Sequence, residues 1–161
     1  MKNLKIYLSL CLISINVNYW AFGQSLTKKE MQKLQHFVGD WVGTSMAFEQ
    51  GDTIRKIPAY EKISYKVDGH VLTIDLYSES LKLHTVVYYD PKDKVYYYNP
   101  YYDSGTAKYT AKLKDGRLIV SPSESKRFIF EITEDGKFRM YGETFANSDW
   151  ILHFEHGTER Q

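Results

Sequence analysis

Four short polar turns constrain this chain more than any other feature, because the segments between them match apolar position to apolar position. Asp68-Gly69 is a two-residue turn of the I′ kind, whose left-handed residues suit the twist of antiparallel strands. It sets Tyr65 opposite Leu72, Ile63 opposite Ile74 and Glu61 opposite Leu76. A second turn at Glu79-Ser80 sets Leu76 opposite Leu83 and Ile74 opposite Thr85, so one apolar face runs through three strands. A one-residue slip would break that face. Asp115-Gly116 pairs Leu113 with Leu118 and Ala111 with Val120. At Glu134-Asp135-Gly136 a two-residue turn would place Ile132 beside Arg139. A three-residue loop with Gly136 left-handed instead pairs Ile132 with Phe138 and Phe130 with Met140. That loop also sets Glu131 beside Arg139 and Arg127 beside Glu143 on the opposite face, and is the register adopted.

Strands are expected near 40–48, 56–67, 70–78, 81–89, 94–99, 106–114, 117–121, 126–133, 137–144 and 149–156. The last should present Trp150, Leu152 and Phe154 on one face. About ten short antiparallel strands at regular spacing imply a sandwich or barrel. Consecutive hairpins favour the up-and-down barrel: an all-β, antiparallel barrel of about 8–10 strands behind one short N-terminal helix. Thr27-Lys28-Lys29-Glu30 fits a capping box, and Met31, Leu34 and Phe37 share one helical face. The spacing predicts a helix of about ten residues ending at Phe37, with Gly39 as its stop.

The first 23 residues read as a secretory signal peptide. Lys2 and Lys5 form a basic start, Ile6 to Val17 is mostly apolar, and Ala21-Phe22-Gly23 has small residues at the cleavage positions. The apolar stretch is short for a bilayer span. Cleavage after Gly23 leaves residues 24–161 as one domain, exported to the periplasm or secreted. The one cysteine, Cys11, leaves with the leader, so no disulfide, thiolate nucleophile or Cys-based metal site is expected. Loss of the two lysines takes the formal charge from +1 to −1. A near-neutral chain without a basic run argues against nucleic acid and anionic membrane surfaces. Fourteen tyrosines suit walls that are apolar yet carry a hydroxyl.

The stretch Phe37-Val38-Gly39-Asp40-Trp41-Val42-Gly43 resembles the Gly-x-Trp signature of lipocalins and related calycins. The resemblance implies a barrel entered from a short helix, with Trp41 closing the floor. It also implies a basic residue from near the C-terminus across that Trp: Arg160 by position, Arg139 as a weaker candidate. Tyr89-Asp90-Pro91, Tyr102-Asp103-Ser104-Gly105 and Asp115-Gly116-Arg117-Leu118 are similar to segments of small lipocalin-like domains in exported bacterial proteins. Gly39, Trp41 and Gly43 also match the start of nitrobindin-type haem barrels, whose haem-ligating His lies near the C-terminus, where this chain has His153 and His156.

Among residues that carry chemistry, Glu61 is the sharpest anomaly. The register puts its carboxylate on the apolar face with Ile57, Ala59, Ile63 and Tyr65, which costs several kcal/mol unless it is paired or protonated. It either meets a polar group of a ligand or base chemistry, or lies at the rim in water. Tyr65 and Tyr109 face inward and either orient a ligand or complete the core. Thr85, Phe130 and Met140 share the inner face and complete the candidate ligand-binding set. His156 lies on the face of Phe154 and is a haem ligand only in the nitrobindin-like reading. No His pair has metal-ligand spacing with a carboxylate, and no metal is expected. There is no Gly-x-Ser-x-Gly elbow, phosphate loop or dinucleotide fingerprint. A Ser-His-Asp set can be drawn on paper from any such chain, so no catalytic residue is assigned. The chain reads as a binder rather than an enzyme. It is expected to hold a small hydrophobic or amphipathic molecule without a cofactor, haem being the alternative. A fully packed barrel with an interaction role is the remaining reading.

Overall fold

The computed structural model describes residues 26–161. The leader expected at 1–23 lies outside the described residues. A helix, α1 (26–32), leads through a turn into a single 3-10 turn, Gln35–Phe37. Eleven strands follow: β1 (Gly39–Glu49), β2 (Asp52–Lys66), β3 (Val71–Ser78), β4 (Lys82–Asp90), β5 (Val95–Tyr102), β6 (Gly105–Thr106), β7 (Tyr109–Lys114), β8 (Arg117–Ser123), β9 (Lys126–Ile132), β10 (Phe138–Ala146) and β11 (Asp149–Arg160). Ten of them form a closed antiparallel barrel, and the two-residue β6 hooks onto the edge of β5. Each barrel strand pairs with its neighbours in sequence, and β11 returns to β1 to close the ring. Closure leaves no barrel edge unpaired, which is how an up-and-down barrel removes the hazard of an open sheet.

The hairpin registers read from the turns are those observed. Glu61 faces Leu76, Ile74 faces Thr85, Leu113 faces Leu118 and Phe130 faces Met140. The physical reason is local: Asp115 and Gly116 both adopt positive φ, as a type I′ turn requires, and Gly136 takes φ 80 in its bulged loop. On the outer face Arg127 Nε lies 2.6 Å from Glu143 Oε2, and Arg139 bridges Glu131 and Glu155. The turn at Asp68 keeps the expected register but not the two-residue form. Val67, Asp68 and Gly69 all take positive φ as a single 3-10 turn.

Three expectations need correction. The helix does not run unbroken to Phe37, and Gly39 is the first residue of β1 rather than a helix stop. Thr27 lies inside α1, and the Glu30 carboxylate meets Lys33 Nζ at 2.7 Å and the Tyr96 hydroxyl instead of closing a capping box. In β11 the face changes sides. A bulge at His153 lets Gly142 pair with Phe154 while Glu143 pairs with Leu152. One extra residue reverses the alternation. Trp150 therefore stacks on the outward-facing Arg127 guanidinium, 3.9 Å from its ring, and does not share the inner face of Phe154 and His156.

The helical segment plugs one end of the barrel. Met31, Leu34 and Phe37 are buried against Phe138, Trp41 and their neighbours. A helix end leaves carbonyls without intrahelical partners. Here the last turn tightens, so that Lys33 N–H donates to the Glu30 carbonyl and Leu34 N–H to the Met31 carbonyl. Barrel tyrosines add a second donor to each: Tyr65 to the Met31 carbonyl at 2.6 Å and Tyr96 to the Glu30 carbonyl at 3.0 Å. The indole of Trp41 donates to the Phe37 carbonyl at 2.8 Å. Arg160, paired with Trp41 across β1 and β11, lies over its ring at 4.8 Å and donates to the Val38 carbonyl at 2.7 Å. Arg139, the alternative cation, is on the outer face, where its guanidinium binds two carboxylates. The fold is an all-β, closed antiparallel ten-stranded barrel, consistent with a calycin-like barrel, with its floor sealed by the helix and Trp41.

Candidate functional site

The interior divides into two halves. Around the plug, Phe130, Phe138, Leu72, Leu118 and Val120 are fully buried and fill the barrel. At the opposite end a cavity of about 360 Å³ opens between the β1–β2 and β3–β4 hairpins. Leu81, Leu83, Phe128, Met140 and Phe154 make its apolar wall, and Ser45, His156, Tyr98 and Tyr102 bring polar atoms to it. Arg55, near the tip of the β1–β2 hairpin, also lines it. A concave apolar space with a few convergent polar groups is the usual form of a small-molecule site.

The wall follows from register and from two glycines. Cross-strand partners share a face, so the ladder from Ser45 to His156, Met140, Phe130 and Leu118 forms one inner row across four neighbouring strand pairs. Gly142 carries no side chain, and the Phe154 ring occupies the space a Cβ would fill. Gly43 stands on β1 between Trp41 and Ser45. A Cβ on it would lie 2.7 Å from the Thr158 Cα, so only glycine lets β11 approach this closely.

Over that stretch of β1 the His156 imidazole reaches from β11 to β2. Its Nδ1 lies 3.2 Å from Glu61 Oε1, and its Nε2 lies 3.1 Å from Ser45 Oγ. Glu61 is 0% exposed and His156 5% exposed. A carboxylate at Nδ1 orients the ring and fixes the tautomer that turns the Nε2 lone pair toward the serine. The second carboxylate oxygen, Glu61 Oε2, is buried without a hydrogen-bond partner. Such an orphan is costly, and a buried polar set is seldom the most stable way to fill a core.

Each candidate residue has a definite place. Glu61 is inside, as the register implies, and it sits behind His156 rather than at the rim. Met140 and His156 line the cavity. Thr85 is fully buried and donates to the Tyr98 hydroxyl at 3.4 Å, one step behind the wall. Tyr65 is committed to the helix carbonyl at the sealed end, and Phe130 packs against Tyr98 and Phe138 in the filled half. Tyr109 is half-buried against the core, outside the cavity lining. Trp41 and Arg160 form the floor. Ser45 and Arg55 were not singled out by sequence. Counting by twos from Trp41 would have found Ser45 on the inner face.

Burial raises the phenols of Tyr98 and Tyr102 above their ordinary value of 10.0, so both stay protonated donors in neutral solution. Because Tyr98 accepts from Thr85, its own O–H remains available to the cavity. Haem binding through His156 would need a ring nitrogen facing open space. The Nε2 atom meets Ser45 at 3.1 Å, so an iron would have to displace that hydrogen bond. His153 is exposed at the bulge. Among the described residues no group of three or more His, Cys, Asp and Glu side chains is placed to hold a metal ion, and no helix is long and apolar enough to cross a membrane. No family model and no curated protein matches the chain.

Proposed function

We propose that this protein is an exported, lipocalin-like binding protein that holds one small amphipathic molecule in the open half of its barrel. The carrying observation is the cavity of about 360 Å³, apolar along β4, β9, β10 and β11 and polar at Ser45 and His156. An apolar moiety buried against Leu83, Phe128, Met140 and Phe154 gains about 25 cal/mol for each Å² removed from water. The polar atoms set its orientation, and Arg55 beside the mouth favours a ligand with an anionic or strongly polar head. The leader read at residues 1–23 makes the protein periplasmic or secreted.

The test is native mass spectrometry of the protein taken gently from an exported expression, followed by titration with 1-anilinonaphthalene-8-sulfonate, an amphipathic anion. The expected result is a single saturable site, weakened when Leu83→Trp fills the cavity. Binding that does not saturate, or that ignores Leu83→Trp, would refute the reading. An adduct of haem mass with a Soret band that disappears in His156→Ala would replace it with the haem alternative.

A further inference from the structure

We propose that Ser45, His156 and Glu61 form a nucleophile–base–carboxylate relay that hydrolyses small carboxylic esters inside the barrel. This deepens the pocket reading and rests on it. The three side chains come from three adjacent strands, β1, β11 and β2. Their contacts run in one line, Glu61 Oε1 to Nδ1 at 3.2 Å and Nε2 to Ser45 Oγ at 3.1 Å. That is the reach expected between a base and the nucleophile it activates, with the base held by a third group. Two further observations separate this set from an ordinary buried network. The serine end is the one that lines a cavity, whereas the carboxylate end is sealed at 0% exposure. And Glu61 keeps one oxygen with no partner, a cost that a purely structural network would avoid.

The chemistry balances with water alone as co-reactant. Ser45 Oγ bonds to the ester carbonyl carbon while its proton passes to His156 Nε2. The carbonyl electrons move to oxygen, and Tyr98 and Tyr102, both protonated phenols, line the same cavity as donors for that oxyanion. When the carbonyl re-forms, the C–O bond to the alcohol breaks, and Nε2 returns the proton to the departing alkoxide. Water, deprotonated by the same nitrogen, then adds to the acyl carbon, the bond from that carbon to Ser45 Oγ breaks, and Nε2 returns its proton to Oγ as the acid leaves. Glu61 touches no reacting atom. It is a positioning residue that holds the imidazole tautomer. The Leu81, Leu83, Phe128 and Phe154 wall selects an acyl chain of short or medium length.

The experiment uses the full protein with p-nitrophenyl butyrate and an alkyl fluorophosphonate, read by hydrolysis rate and by peptide mapping of the adduct. The expected result is one phosphonyl group on Ser45 and a hydrolysis rate reduced on the order of 10²–10⁴-fold in His156→Gln. Glu61→Gln should lower kcat while leaving KM in place. Mapping of the wild-type adduct needs no variant to fold. Absence of both adduct and turnover in a sample that still binds 1-anilinonaphthalene-8-sulfonate would overturn the relay alone. An adduct on another residue would also overturn it. Loss of probe binding as well would take the pocket reading with it.

Discussion

Gly142→Ala tests how the cavity wall is built. Gly142 has no positive φ, so alanine is conformationally admissible there. Isolated in a strand, the change should even stabilise, because glycine loses more backbone entropy on folding. In this barrel the new Cβ would overlap Phe154 Cε1 outright and stand 2.6 Å from Cζ and 2.7 Å from Cδ1. Carbon atoms rest about 3.5–4.0 Å apart, so relieving the closest of these contacts requires the ring to retreat by roughly 1.5–2 Å. Overpacking of this kind costs about 1–3 kcal/mol, which for a domain of this size lowers Tm by about 4–12 °C. The ring moves toward the cavity, so ligand binding should weaken in parallel. The assay is urea unfolding of four proteins: wild type, Gly142→Ala, Phe154→Ala and the double variant. With Phe154 removed the clash is gone, and Gly142→Ala should become neutral or stabilising, a coupling of at least about 1 kcal/mol. An equal cost of Gly142→Ala in both backgrounds would refute the packing argument.

Gly43→Ala places a Cβ against the β11 backbone, 2.7 Å from Thr158 Cα, where no side chain can swing aside. It should destabilise by more than about 3 kcal/mol and separate Ser45 from His156, measurable by urea unfolding and by loss of pocket binding. Val67 is β-branched and exposed at φ 50, a conformation that costs a branched residue about 1–2 kcal/mol. Val67→Gly should therefore raise the urea midpoint, and a lowered midpoint would show that the side chain contributes more than its strain. Burial raises the Tyr65, Tyr96 and Tyr98 phenols above 10.0, with the nearby Glu30 adding to the shift at Tyr96. Above that pH the unfolded chain releases protons that the folded chain retains, so stability is intact below pH 10 and falls as pH rises. The slope is up to about 1.4 kcal/mol per pH unit for each tyrosine that stays protonated. Urea midpoints at about pH 8 and pH 11 measure it, and a Tyr98→Phe variant should show a shallower decline.

The chain's own order determined the strands and their registers, because both depend on neighbours a few residues apart. Asp115-Gly116 and Gly136 supply the left-handed backbone their turns need, and alternation then settles which side chains share a face. Glu61 was legible as an inward carboxylate for the same reason. Trp41 and its cation Arg160 were legible only through a family resemblance, since nothing local links residues so distant in sequence.

Closure of β11 onto β1 decided the rest. It pairs Ser45 with His156 and carries the imidazole to Glu61, joining residues from the two ends of the chain. The bulge at His153 turned Trp150 outward while leaving Phe154 and His156 inside, and no turn residue announces it. Whether the barrel was filled or open also waited on three dimensions. The inner side chains looked bulky enough to fill it, and around the helical plug they do. Glycines at 43 and 142 let strand and ring approach closely, while the far end keeps its cavity. Pairing rules act along the strand and can be read residue by residue. Packing is settled by volume shared among strands distant in sequence, and only the closed barrel brings those volumes together.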